Sequence, residues 1–217
     1  MPIEYAPSRR PYKLRGRYRN TVRTGLVTGV AAHTATAGHL FTWRWDDATV
    51  TGLLGFVRYV GAKFILTTAY GTDQETGIGM HIARSYTASH TGGNAVDVGG
   101  TVTGTGKRYT GQSASLLTSC RIGDTGALTA GTHTLDANPY AVVSDFSTAI
   151  GDTVPLASTG GVGGLATLHD SRLTGDHLEF DNDEGFILSN TTAMGATGVG
   201  IWAFCVEWDE GVLSGEG

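Results

Sequence analysis

At 217 residues, with 33 glycines and no long runs of Ala, Leu, Glu or Lys, the chain suits one large β domain and argues against a helical one. Its net charge of −5 is unevenly placed: residues 1–24 carry Arg9, Arg10, Lys13, Arg15, Arg17, Arg19 and Arg23 against Glu4, a net +6, which leaves −11 on the rest. No apolar run approaches the roughly 18 residues that cross a bilayer and no charged-then-apolar leader opens the sequence, so a soluble protein made in the cytoplasm is expected.

In chain order, residues 1–20 come first. Pro2, Pro7 and Pro11, with Tyr5, Tyr12 and Tyr18 among basic residues, give neither helical nor strand periodicity and predict an extended arm, poorly ordered alone. Residues 21–217 are expected to form one β-sandwich domain. A basic arm on an acidic body implies an acidic partner. Tyr and Arg are enriched at protein interfaces, so Arg9, Arg10, Tyr12, Lys13, Arg15, Arg17, Tyr18, Arg19 and Arg23 are assigned to docking on a protein. A solvated tail ranks second, and nucleic acid, on whose bases the tyrosines could stack, ranks last.

Residues 21–30 are β-prone and broken by glycine. In 40–45, Phe41, Trp43 and Trp45 fall on one face of a strand. Residues 50–60 with 64–66 predict one long strand, or a hairpin kinked near Gly61. Ile78, Met80 and Ile82 alternate with Gly79, His81 and Ala83 as a half-buried strand. Residues 85–106 are mostly Ser, Thr and Gly, anchored only by Val96, Val98 and Val102, and are expected as an exposed hairpin or surface loop. Over 113–122 a short helix and a strand compete. Short strands are expected near Leu128 and Leu135, at Tyr140, Val142 and Phe146, and over 165–168, 177–180 and 186–188, with 160–164 as a flexible turn.

The final strand is the expected centre of the fold. Over 200–210, Trp202, Phe204, Val206 and Trp208 share one face, opposite Ile201, Ala203, Cys205 and Glu207, and this aromatic face should meet Phe41, Trp43 and Trp45 in one core. Asp209, Glu210 and Glu216 read as an acidic tail ending in solvent. Roughly eight to ten short strands then predict an all-β fold, a single β-sandwich of jelly-roll type or a related barrel, with an extended N-terminal arm.

Catalysis needs convergent groups, and none is legible. His33, His39, His81, His90, His133, His169 and His177 show neither H-E-x-x-H nor H-x-H spacing and are expected to be surface or partly packed residues. Ser113 lacks the glycines of a nucleophile elbow. Gly104-Thr105-Gly106-Lys107 is followed by Arg108 where a phosphate loop needs Ser or Thr. Asp181 and Asp183 before Gly185 resemble part of a calcium loop, but Thr192 stands where the closing Glu belongs, so a solvated acidic turn is expected. The expectation is no catalytic residue, no cofactor and no metal. Cys120 and Cys205 are expected as buried thiols, with a long-range disulfide as the alternative.

Several stretches together resemble the small virion proteins of tailed bacteriophages: Arg10-Pro11-Tyr12-Lys13, the run from Ala127 to Asp136, the turn Asn182-Asp183-Glu184-Gly185-Phe186, and the ending Trp202-Ala203-Phe204-Cys205-Val206-Glu207-Trp208. The resemblance implies a head decoration or cement protein on the outer capsid surface of the virion. It would bind the major capsid protein, assemble as a trimer or less favourably a dimer, and contact no membrane. Two rivals remain: a tail, fibre or baseplate protein, and a carbohydrate-binding module with Tyr59, Tyr70, Tyr86 or Tyr109 as platforms. A carbohydrate-active enzyme would need carboxylates such as Asp181 and Glu207 in one cleft. Deleting residues 1–20 is expected to leave the body folded and to abolish assembly.

Overall fold

The computed structural model describes residues 12–46, 52–98, 113–147, 150, 153–154, 165–172 and 176–213. Its strands are β1 (Tyr12–Arg23), β2 (His39–Trp45), β3 (Leu53–Thr68), β4 (Gln74–Ala88), β5 (Asn94–Ala95), β6 (Ser119–Ile122), β7 (Thr132–Leu135), β8 (Ala141–Ser147), β9 (Thr153–Val154), β10 (Ala166–Asp170), β11 (Leu178–Phe180), β12 (Glu184–Asn190) and β13 (Val199–Leu213). No helix occurs among the described residues, so none is long and apolar enough to cross a membrane.

One sheet runs β1-β13-β3-β10, with β9 and β11 also pairing along β3. The other runs β5-β6-β2-β12-β4-β7, with β8 also on β4. The pairings are antiparallel. The closing strands are inserted between the opening ones: β13 lies between β1 and β3, and β12 lies between β2 and β4. The chain also changes sheet at each step from β1 to β4 and again from β12 to β13. Alternate crossing with late strands slotted between early ones is the winding of a jelly roll, so the expected all-β sandwich is the fold. Residues 119–122, where helix and strand competed, take the strand form as β6.

Side-chain alternation explains which face of each sheet is inside. From β2, Phe41, Trp43 and Trp45 point inward. From β13, Trp202, Phe204, Val206 and Trp208 meet them in one buried cluster. Phe41 lies 5.6 Å from Phe204 between ring centroids, and Trp43 meets Trp208 edge-on at 6.4 Å. Ile78, Met80 and Ile82 of β4 join the same core, and β3 runs through Gly61 as one strand of 16 residues rather than a hairpin.

Two expectations need correction. The sandwich does not begin at residue 21: β1 starts at Tyr12 and pairs with β13 down to Arg23↔Ala203. The second half of the proposed arm is therefore a sheet strand, whose backbone pairs the edge of β13 that β3 leaves open. Nor do Asp209 and Glu210 form a solvated tail. Both are buried within β13, which continues to Leu213. Residues 1–11 and Glu216 lie outside the described residues, as do 99–112, which hold the Gly104–Arg108 stretch, and the 160–164 turn.

Candidate functional site

The residues assigned to a partner-binding arm divide three ways. Arg9 and Arg10 lie outside the described residues, and of Tyr12 and Lys13 only the backbone, in β1, is described. Arg15, Arg17 and Arg19 face acids of the protein's own last strand. Arg15 reaches Glu210 at 2.5 Å, Arg17 reaches Asp209 at 2.8 Å, and Arg19 reaches Glu207 at 3.5 Å. Tyr18 turns inward, stacks on Trp208 at 5.3 Å, and its hydroxyl donates to the Ser113 carbonyl at 3.0 Å. Burial, and next the charge of Glu210, push its phenol pKa upward. Arg23 is exposed at the end of β1. Charge asymmetry along the sequence thus resolves largely inside the molecule, as a ladder of cross-strand ion pairs.

Two acids at the entry to β12, Asp183 and Glu184, face arginines. Arg44 binds Asp46 at 2.6 Å and Asp183 at 3.2 Å, while Arg84 binds Glu184 and Asp136, each at 3.0 Å. Glu207 pairs with Arg19 and, at 3.7 Å, with Arg172. Of the tyrosines considered as sugar platforms, Tyr59, Tyr70 and Tyr86 are buried and Tyr109 lies outside the described residues. Cys120 and Cys205 are free buried thiols in different clusters, Cys120 in the main core and Cys205 with Tyr59 and Leu165.

The histidines overturn the scattered reading. Five of the seven gather at the outer face of the second sheet and the segments covering it. Each comes from a different place: His33 from the segment before β2, His39 from the start of β2, His81 from β4, His90 from the segment after β4, and His133 from β7. Strand alternation puts His81 opposite Met80 and Ile82, hence outside the main core. His39, His81 and His90 are nonetheless buried, because the chain folds back over this face. The backbone bridge between Thr91 and Thr129 holds two covering segments together.

A directed hydrogen-bond chain runs through the cluster. A carbonyl only accepts, so His39 Nε2 carries a proton and donates to Thr34 O at 3.0 Å. His39 Nδ1 is then an acceptor, and His90 Nε2 donates to it at 2.7 Å. His90 Nδ1 in turn accepts from the Tyr86 hydroxyl at 2.6 Å. Beside this relay His33 stacks on His81 at 3.6 Å, and its Nδ1 meets the Ser189 hydroxyl at 2.8 Å. His133 stacks on His90 at 5.1 Å, yet neither of its ring nitrogens makes a well-formed hydrogen bond.

Burial sets the ionisation of these rings. It lowers His39 to about 4, with the Thr34 carbonyl acting the other way, and lowers His81 to about 4 and His90 to about 3, with neighbouring imidazoles adding to the effect. His33 and His133 are lowered by burial as well. At neutral pH the cluster is therefore uncharged, and its imidazoles hold lone pairs rather than positive charge.

Local sequence spacing could not reveal this site, since each histidine is contributed by a separate element. The available hint was the strand alternation that set His81 on the face opposite Met80 and Ile82.

No protein-family model and no curated protein sequence matches the chain. Among solved structures it is similar to VP1 of Trichodysplasia spinulosa-associated polyomavirus, a structure solved in complex with sialylated precision glycooligomers. The two are 10% identical, with 93% of this chain and 98% of that chain covered, at a TM-score of 0.28. The fold assignment rests instead on the strand order of the protein itself.

Proposed function

We propose that the protein is a structural component of a virion, a jelly-roll sandwich that binds the outside of a phage capsid and reinforces contacts between its subunits. The observation that carries this reading is an apolar row on β8, an edge strand among the described residues, where Val142 is 51% and Phe146 is 65% exposed, with Tyr140 also exposed just before the strand. Large apolar side chains in a row on a sheet edge leave both hydrophobic surface and backbone hydrogen-bonding groups for a neighbour to cover. The sequence resemblance to small phage virion proteins supplies the kind of neighbour: the major capsid protein, or another copy in a trimer or dimer. Arg9 and Arg10, preceding the strand that joins the sheet, are assigned to a short tether on that surface. Adhesion of this kind, repeated over many symmetric copies, needs no turnover.

The test is occupancy of particles. Phe146→Asp is expected to leave the unfolding transition unchanged and to remove the protein from purified capsids. Full occupancy by that variant would refute the edge-strand surface, and images placing the protein on the tail would favour the tail, fibre or baseplate reading.

A further inference from the structure

His39, His90 and His133 each bring a ring nitrogen to within 4.8 Å of the other two. We propose that these three imidazoles form a binding site for a divalent transition metal, zinc foremost, which fastens β2, β7 and the segment after β4 to one another. This goes beyond adhesion and stands or falls independently of it.

Three observations carry the assignment. The first is ligand type and number: three imidazoles with a fourth position left over are a zinc-binding set, and imidazole also suits copper and nickel. The second is how the rings are held from behind. His39 is anchored through Nε2 to the Thr34 carbonyl, which leaves Nδ1 facing the centre, and His90 is anchored through Nδ1 to the Tyr86 hydroxyl, which leaves Nε2 facing it. A ligating histidine ordinarily has such an outer partner, which fixes both ring orientation and tautomer. The third is His133, whose two buried nitrogens make no well-formed hydrogen bond and have only loose approaches to the backbone of Ala35 and Gly131. Buried polar atoms are almost always paired, and a metal would satisfy one of these.

The geometry needs little adjustment. With metal–nitrogen bonds near 2.0–2.1 Å, the nitrogens of a tetrahedral site sit about 3.4 Å apart. The 2.7 Å contact between His39 Nδ1 and His90 Nε2 must open slightly, and His133 must move inward. Of the three rings, His133 is the one that no well-formed hydrogen bond restrains. Loading also shifts one proton: His90 changes from the Nε2–H to the Nδ1–H tautomer and then donates to the Tyr86 oxygen. The metal takes the place of the proton shared by His39 and His90, and the ring keeps its proton count.

The experiment uses the full chain without a histidine tag, stripped with chelator and titrated with zinc chloride by calorimetry. Cobalt(II) serves as a visible-spectrum probe of nitrogen coordination. One equivalent of zinc per chain is expected, with a rise in unfolding temperature that chelator reverses. His133→Ala removes a ring whose contacts within the cluster are stacking rather than well-formed hydrogen bonds, so it should still fold cooperatively, with a metal-free transition that chelator does not shift, and bind zinc at least about tenfold more weakly. His177→Ala, outside the cluster, should bind as the parent does. Absence of zinc uptake by the parent, or uptake undiminished in His133→Ala, overturns the site.

Discussion

Arg17 holds Asp209 at two points, Nε to Oδ1 at 2.8 Å and a terminal nitrogen to Oδ2 at 3.1 Å, from the position directly opposite it across β1 and β13. Asp209 is fully buried, and Arg58 Nε also approaches its Oδ2 at 3.7 Å. Removing one partner of a buried ion pair leaves the other charge desolvated, which costs about 3–5 kcal/mol. Asp209→Ala should therefore lower the free energy of unfolding by about that much in urea titration. Arg17→Ala should cost less, since Arg58 stays near the carboxylate. A loss below about 1 kcal/mol for Asp209→Ala would show that the pair is solvated.

The same ladder sets where the chain tolerates truncation. β1 covers the outer edge of β13 with backbone hydrogen bonds and brings cations to three of its acids. Removing residues 1–11 should leave the unfolding midpoint unchanged. Removing 1–23 should give a protein that unfolds at markedly lower denaturant or fails to accumulate soluble. This replaces the expectation that a deletion through residue 20 spares the fold. Equal midpoints for the two truncations would mean that β1 adds nothing to stability.

What the sequence made legible was local. Alternation in Phe41-Thr42-Trp43-Arg44-Trp45 and in the β13 aromatic run fixes two strands and their inner faces, because side-chain direction follows from period alone. Asp209 and Glu210 were misread for the opposite reason. Their counter-charges sit about 190 residues away on β1, and nothing in the neighbourhood of an acid announces a partner that only strand insertion delivers. The histidine cluster was hidden in the same way, since its members come from five separate stretches. Long-range register, not propensity, decides both.

Close packing around the paired tryptophans gives a third prediction. A Cβ at Gly55 would stand 2.7 Å from Trp43 Cη2 and 3.0 Å from Trp45 Cδ2, and both indoles are buried and stacked on one another. Rings held on both sides have nowhere to retreat, so Gly55→Ala should destabilise by about 1–3 kcal/mol. Trp43→Phe removes the offending Cη2. In a double-mutant cycle the combined variant should be less unstable than the sum of the two single changes. Strict additivity would place the strain elsewhere.

Thiol chemistry follows from burial. Cys120 is packed in the main core, where desolvation raises its thiol pKa, and Cys205 is enclosed by Tyr59 and Leu165. Neither should react with a thiol-specific disulfide reagent until the protein unfolds, when two equivalents should appear. Reaction in native buffer, or a missing equivalent after denaturation without reductant, would contradict free buried thiols.

Acid should loosen the sandwich partly through His169. This ring is buried between the two sheets' edges, where Nε2 donates to Val57 O at 3.2 Å and Nδ1 accepts from the Tyr140 hydroxyl at 3.1 Å. Burial lowers its pKa below 6.5, with the Val57 carbonyl, Asp170 and Asp176 acting in the other direction. The unfolded chain therefore takes up a proton near pH 6.5 while the folded protein does not until lower pH. The stability His169 contributes is complete above pH 6.5 and falls as pH drops below it toward the folded value. His169→Gln can keep both hydrogen bonds without titrating. Urea titrations at about pH 7.5 and about pH 5 should show a smaller acid-induced loss in the variant than in the parent, and the buried histidine cluster, common to both, cancels from the difference. Identical losses would mean that His169 is already protonated in the folded state or remains solvated there.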